Sequence, residues 1–258
     1  MCHAENSTPA GRNPAIDENR VEFMVGDLAI PALQAAPAGA GRYPAVLVLH
    51  DINGMNAFYE DLTRRLAAEG FVAMVQDLFV REGPSSEPTP EAIRARRARM
   101  DQRHALDDIA RGIETLASHP LGDGTVGTIG FCMGGTFAML AGARDPLPDA
   151  SVAFYGFPAQ AATEKAPLLP LAEASSLRSP LLALWGDQDH AVGMDTVEAY
   201  RAALAEADRQ FEFVIYPGAG HGFLTFDPQA PAFPDAADAW DRTLAFLRET
   251  LAHAAVGR

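Results

Sequence analysis

A cysteine stands between two glycines in Gly130-Phe131-Cys132-Met133-Gly134, inside the run TIGFCMGG at residues 128–135. This spacing describes a strand that turns abruptly into a helix. The corner residue is strained and its side chain projects outward, while glycines two positions to either side let strand and helix close up. The corner also meets a helix N-terminus, whose N–H groups and dipole favour an anion. A cysteine placed there is equipped for nucleophilic attack on a carbonyl carbon. Thiolate is the reactive form, and a helix terminus with a nearby histidine raises its share above the few per cent of an ordinary thiol. A tight turn that merely buries a cysteine has the same local pattern, so the weight falls on residues farther along.

Two later loops supply the partners. Gly186-Asp187-Gln188-Asp189-His190 follows an apolar run at 181–185, and Pro217-Gly218-Ala219-Gly220-His221-Gly222-Phe223 follows another at 211–216. The order is nucleophile, carboxylate, histidine, each just past a strand. His221 would take the thiol proton, and a carboxylate would fix its tautomer and stabilise the imidazolium. Asp187 and Asp189 compete for that role. Asp187 still lies in the turn, whereas Asp189 is farther into the loop and freer to reach, so Asp189 is favoured. His190 is too close to these carboxylates in sequence to serve as the base. His104 and His119 fall on or beside a long helix, and His3 and His253 lie near the ends. Asp187, Asp189 and His190 lack a further ligand at convincing spacing, so neither a metal nor a cofactor is expected.

Acyl transfer also needs donors for the developing oxyanion. The residue after the nucleophile supplies one, the Met133 N–H. The loop His50-Asp51-Ile52-Asn53-Gly54 supplies the other, assigned to the Ile52 N–H. Arg81, closing Asp77-Leu78-Phe79-Val80-Arg81, reads either as a solvated charge or as an anchor for a substrate carboxylate, which a guanidinium grips with two bonds.

The elements that must hold these residues alternate between short β-rich runs and longer helical ones. That alternation implies an α/β fold, a mostly parallel central sheet of about eight strands with helices on both faces. Strands are expected as an edge pair within 21–36 and at 43–50, 71–75, 126–131, 151–155, 180–185 and 211–216. Helices are expected at 58–70, 91–119, 132–143, 194–207 and 235–253, with a loop at 77–90. Leu106, Ile109, Ile113 and Leu116 recur at helical spacing. In such sheets ligands sit at the carboxyl ends of the strands, where the unusual loops converge.

Composition sets the outer limits. The chain has 258 residues, 48% of them hydrophobic, which suffices for one large core over 21–258. No repeat is visible. A formal charge of -14 argues against a nucleic-acid partner, since phosphates require a basic face. The arginines at 94–103 read as the solvated face of a helix. Residues 1–20 are polar and expected to be poorly ordered, without the apolar stretch of a secretory signal. No run approaches membrane-spanning length. The two cysteines are Cys2 and Cys132, and a structural disulfide is not expected. The cell interior is the default location, and the expected state is a monomer or weak homodimer.

The blocks GFCMGG around Cys132, WGDQDHAV around Asp189 and YPGAGHGF around His221 together resemble the dienelactone hydrolase family, cysteine-dependent α/β-hydrolases that open cyclic dienelactones. HDINGMNAF at 50–58 and QDLFVR at 76–81 match weaker family blocks, and the resemblance runs from about residue 21 to the C-terminus. It implies Cys132 as nucleophile, Asp189 as orienting acid, His221 as base, Ile52 and Met133 as oxyanion donors and Arg81 as a contact for a substrate carboxylate. It further implies Tyr155 as a pocket tyrosine. The expected substrate is a small ester or lactone. A redox-sensing thiol protein, an acyltransferase or a thioesterase on the same scaffold are the alternatives. Three positions depart from the family. Asp51 stands where a glutamate usually holds the resting thiol, Thr225 where a second arginine is usual, and Gln76 where proline is usual.

Overall fold

The structure, a computed structural model, describes residues 15–257. Eight strands form one sheet: β1 (Ile16–Val25), β2 (Leu28–Pro37), β3 (Tyr43–Leu49), β4 (Val72–Gln76), β5 (Gly122–Phe131), β6 (Ala150–Phe154), β7 (Leu181–Gly186) and β8 (Phe211–Tyr216). Their order is β1-β2-β4-β3-β5-β6-β7-β8. β1 pairs antiparallel with β2, and β2 with β4; every later pairing is parallel. Strands β3, β4, β6 and β7 read as near-continuous apolar runs because helices cover both faces of a parallel sheet.

Six helices pack on this sheet: α1 (Ala57–Ala68), α2 (Pro90–Arg99), α3 (Gln102–Ala117), α4 (Met133–Ala141), α5 (Met194–Glu206) and α6 (Phe233–Val256). α1 opens on Asn56, whose side chain accepts from the Phe58 N–H, an N-cap of the usual kind. On α3 the residues Ala105, Leu106, Ile109, Ile113 and Leu116 are buried, so the spacing read from the sequence is the face turned to the core.

Three expectations change. The edge pair begins earlier, since β1 already runs from Ile16; residues 16–20 belong to the sheet, and the remainder of the 1–20 segment up to residue 14 lies outside the described residues. The single helix expected over 91–119 is two. Asp101 breaks it by accepting from the N–H groups of Arg103 and His104, an N-cap that starts α3 afresh while Met100 is drawn into the core in extended conformation. Finally, α2 does not present all its arginines to water. Ile93, Arg96, Arg97 and Met100 fall at i, i+3, i+4 and i+7, one helical stripe, and that stripe faces inward with Arg96 buried.

The parallel strands all finish at one edge. His50 follows β3, Asp77 follows β4, Cys132 follows β5, Tyr155 follows β6, Asp189 lies three residues beyond β7 and His221 five beyond β8. Among the described residues no helix is long and apolar enough to cross a membrane.

Candidate active site

Cys132 occupies the corner between β5 and α4 with φ 54° and ψ −114°, a left-handed conformation that a side-chain-bearing residue rarely adopts. The glycines beside it explain how the turn closes. A Cβ on Gly130 would strike the carbonyl of Gly134, and one on Gly134 would strike the carbonyl of Leu49. Strand β5 and helix α4 therefore touch backbone to backbone, and the helix is pressed against the end of β3. The Cys132 N–H donates to the Phe154 carbonyl at 3.0 Å, which fixes the corner to β6. The side chain is buried, 3% exposed. Met133 is the first residue of α4, so its N–H has no acceptor within the helix.

The acid and the histidine meet. His221 Nδ1 lies 2.7 Å from Asp189 Oδ2. A carboxylate can only accept, so the ring proton sits on Nδ1 and leaves Nε2 with its lone pair. The other oxygen, Asp189 Oδ1, accepts from the N–H groups of Ala191 and Val192 at 3.1 Å each, which locks the carboxylate plane. Asp187 has a different task. Its Oδ1 accepts from the Gly218 N–H at 2.7 Å, and the Asp187 and Gln188 N–H groups donate to the carbonyls of Tyr216 and Ala219. Asp187 thereby ties its own loop to the histidine loop, while Asp189, which is buried, is the carboxylate bonded to His221. His190 is exposed.

Aromatic rings wall the histidine. The Tyr155 ring centroid is 5.0 Å from that of His221, edge-on, and Phe157 is 5.6 Å away on a tilted ring. Tyr155 is fully buried with φ 39°, held by its N–H to the Leu184 carbonyl at 2.7 Å and packed on Phe131 and Phe223. The tyrosine expected as a pocket residue thus lies directly between the elbow strand and the histidine.

The loop after β3, which carries Ile52, is braced from three directions. Asp51, fully buried, accepts at Oδ1 from the Asn53 N–H at 2.8 Å and at Oδ2 from Asn53 Nδ2 at 3.2 Å. His50, also fully buried, has Nδ1 2.7 Å from the Asp51 carbonyl and accepts at Nε2 from the Leu78 N–H at 3.0 Å. Those two bonds require a neutral ring with its proton on Nδ1, so the 3.8 Å approach of His50 Nε2 to Asp77 is not an ion pair in this arrangement. Arg96 completes the brace: Nη2 donates to the Ile52 carbonyl at 2.9 Å, and the guanidinium lies 3.9 Å over the Phe79 ring. His50 and Arg96 escaped the sequence reading. The signals were the Ile93–Met100 stripe for Arg96 and, for His50, a polar residue ending an otherwise apolar strand.

Arg81 is not presented as an open fork. Its Nε and Nη2 donate to Asp108 at 2.8 and 2.6 Å, and Asp108 is buried on α3. The two-bond face expected for a substrate carboxylate is taken by a carboxylate of the protein itself. Thr225 accepts from the Asp227 N–H at 3.1 Å and shapes the turn after His221. Gln76 ends β4 fully buried.

A parallel sheet of this order, a strained residue at a strand-to-helix corner and a histidine–aspartate pair from the last two strand ends define an α/β-hydrolase. Comparison with known proteins narrows the class. The family model described as the dienelactone hydrolase family matches residues 30–251, and the chain belongs to that family. It is 33% identical to a carboxymethylenebutenolidase of Rhodococcus opacus over 256 residues, 97% of this chain and 98% of that protein. It is also 33% identical over 219 residues to a Bradyrhizobium protein named as a candidate 2-oxo-3-(5-oxofuran-2-ylidene)propanoate lactonase, covering 84% of this chain and 88% of the relative. A crystal structure described as a candidate dienelactone hydrolase from Klebsiella pneumoniae superposes with a TM-score of 0.84 at 31% identity, covering 91% of this chain and 99% of the other. The protein is thus a hydrolase of the lactone and ester kind.

Proposed function

We propose that the chain hydrolyses small carboxylic esters or lactones through a thioester on Cys132. The observation that carries this reading is the 2.7 Å bond between His221 Nδ1 and Asp189 Oδ2, at the same sheet edge as a cysteine held in left-handed conformation at a helix N-terminus. In the first half-reaction the Cys132 thiol proton passes to His221 Nε2, and the sulfur attacks the carbonyl carbon. The N–H groups of Ile52 and Met133 receive the oxyanion. Collapse breaks the ester C–O bond, and His221 returns its proton to the departing oxygen, which in a lactone stays tethered to the acyl group. In the second half-reaction water attacks the thioester carbonyl and His221 takes its proton; collapse breaks the C–S bond, and Cys132 leaves as the thiol by recovering that proton from His221. Asp189 keeps the imidazole in the required tautomer and stabilises its cation between the two halves.

The braces around Ile52 support this reading, since an oxyanion donor is effective only when its position is fixed before the charge develops. The names of the Rhodococcus and Bradyrhizobium relatives favour lactones among the possible substrates. Hydrolysis of cis- and trans-dienelactone and of p-nitrophenyl acetate, by wild type and Cys132→Ala, tests the proposal. Turnover of at least one of them, abolished in the variant, is expected. Full activity in Cys132→Ala would refute the mechanism, and no turnover of any activated small ester or lactone would refute the activity.

A further inference from the structure

The arginines near the site divide sharply by what they touch. Arg81 is bound to Asp108, Arg96 to the Ile52 carbonyl and the Phe79 ring, Arg94 approaches Glu91 at 3.7 Å, and Arg99 Nη2 donates to the Glu82 carbonyl at 3.2 Å. Arg97 differs. Its guanidinium carbon lies 6.0 Å from the centroid of Phe137, a buried residue of α4 one turn beyond Met133. Among the described residues no carboxylate lies within ion-pair distance of it, although the side chain is half-buried. Consecutive arginines on the inward stripe of α2 therefore reach two different parts of the site. Arg96 goes to the oxyanion loop and Arg97 to the helix that begins at the nucleophile.

A cation taken partly out of water with no carboxylate in ion-pair reach is costly, and an anion delivered to it recovers much of that cost. The electrostatics agree with the geometry. Burial pushes the Arg97 guanidinium below its ordinary pKa, and negative charge at Cys132 and then at Glu82 pulls it partly back. The helix that carries Arg97 is also held in place. Gln102, just past its end, exchanges two side-chain bonds with the Leu168 main chain at 3.0 and 2.8 Å; its N–H donates to the Lys165 carbonyl, and Lys165 Nζ donates to the Arg99 carbonyl. These bonds tie α2 to the loop between β6 and β7, so Arg97 is presented on a fixed support.

We propose that Arg97, rather than Arg81, receives the negatively charged group of the substrate, a carboxylate gripped by the guanidinium while the ester or lactone carbonyl faces Cys132. The inference rests on the hydrolase reading above and adds to it the residue that selects anionic substrates.

The test compares two activated esters of similar size, p-nitrophenyl butyrate and the mono-p-nitrophenyl ester of succinic acid, on wild type, Arg97→Gln, Arg97→Lys and Arg81→Gln. The readout is the ratio of kcat/KM, charged over neutral. Loss of hydrogen bonds to a charged group lowers that ratio about 30-fold in Arg97→Gln, chiefly through KM, with partial recovery in Arg97→Lys and little change of the ratio in Arg81→Gln. No preference for the charged ester in wild type, an unchanged ratio in Arg97→Gln, or loss of the ratio in Arg81→Gln instead would each overturn the proposal. A second readout does not need turnover: succinate protects Cys132 of wild type against iodoacetamide, and Arg97→Gln removes the protection. If wild type hydrolyses neither these esters nor the dienelactones the hydrolase reading falls, and the protection experiment still decides whether Arg97 binds the anion.

Discussion

Asp189→Asn separates orientation from folding at this site. The two oxygens of Asp189 have different duties: Oδ1 accepts from the N–H groups of Ala191 and Val192, and Oδ2 accepts from His221. An asparagine of the same shape can satisfy both backbone donors only by placing its own oxygen there. Its NH₂ group must then face His221 Nδ1, which is forced to become an acceptor. The ring proton moves to Nε2, the atom that takes the Cys132 proton in the proposed mechanism. An equivalent substitution in a Ser-His-Asp enzyme lowers kcat by about 10⁴-fold, equal to about 5.4 kcal/mol of barrier. The same order is expected here, because both loop bonds survive and the fold is retained. Urea unfolding should show a stability within about 1 kcal/mol of wild type. Asp187→Asn is the matched comparison: its oxygen still accepts from Gly218, and its activity should fall less than about tenfold. Initial rates on p-nitrophenyl acetate with both variants decide the matter. A loss of under tenfold in folded Asp189→Asn, or a larger loss in Asp187→Asn, would refute the assignment of tautomer and roles.

Arg81→Ala should be a stability variant, since it strands the buried Asp108 carboxylate. Losing one partner of a buried pair costs about 3–5 kcal/mol, and about 2 kcal/mol is expected here because Arg81 remains 31% exposed; Asp108→Asn added to it should recover part of the loss in urea titrations. His50→Phe keeps a ring in the cavity but leaves the Leu78 N–H and the Asp51 carbonyl without their partner, at about 1–3 kcal/mol each, so it should lower both the urea midpoint and kcat. A drop of less than 1 kcal/mol would show that the Ile52 loop does not depend on it. Burial pushes the Glu82 carboxyl above its usual range, so the folded state holds that proton more tightly than the unfolded chain does. Stability therefore falls as pH rises from near 4.5 through the higher folded value. Glu82→Gln, neutral throughout, should raise Tm at pH 7, and the gain should vanish at pH 3.5 where both side chains are uncharged.

What could be read along the chain and what could not follow from the range of the interactions involved. The elbow, the sheet and the order of Cys132, Asp189 and His221 past successive strands are local or periodic signals: glycines that must let backbones touch, apolar runs of strand length, loops rich in glycine and acid. Hence the elbow at Cys132 and most strands stand within a residue or two of where the sequence puts them. The break between α2 and α3 was local too, yet it was masked, because a single capping Asp101 interrupts a stretch that otherwise reads as one helix. Which aspartate bonds His221 was only half legible, since Asp187 and Asp189 differ in which groups they reach after the loops have closed.

The arginines were the least legible, and the reason is physical rather than a shortage of pattern. A guanidinium is the same group whether it is solvated, braced, neutralised or waiting for a ligand; its role is set by what tertiary structure brings to it. Arg81 meets Asp108 from a helix 27 residues away, and Arg96 meets a carbonyl 44 residues away. No window along the sequence contains either pair. Only Arg97 is left at the inward face with the helix that begins after Cys132 beside it and no protein carboxylate in ion-pair reach among the described residues. Specificity for a charged substrate is accordingly expected to follow whichever cation the fold leaves without a carboxylate in ion-pair reach, and not whichever cation occupies the expected sequence position.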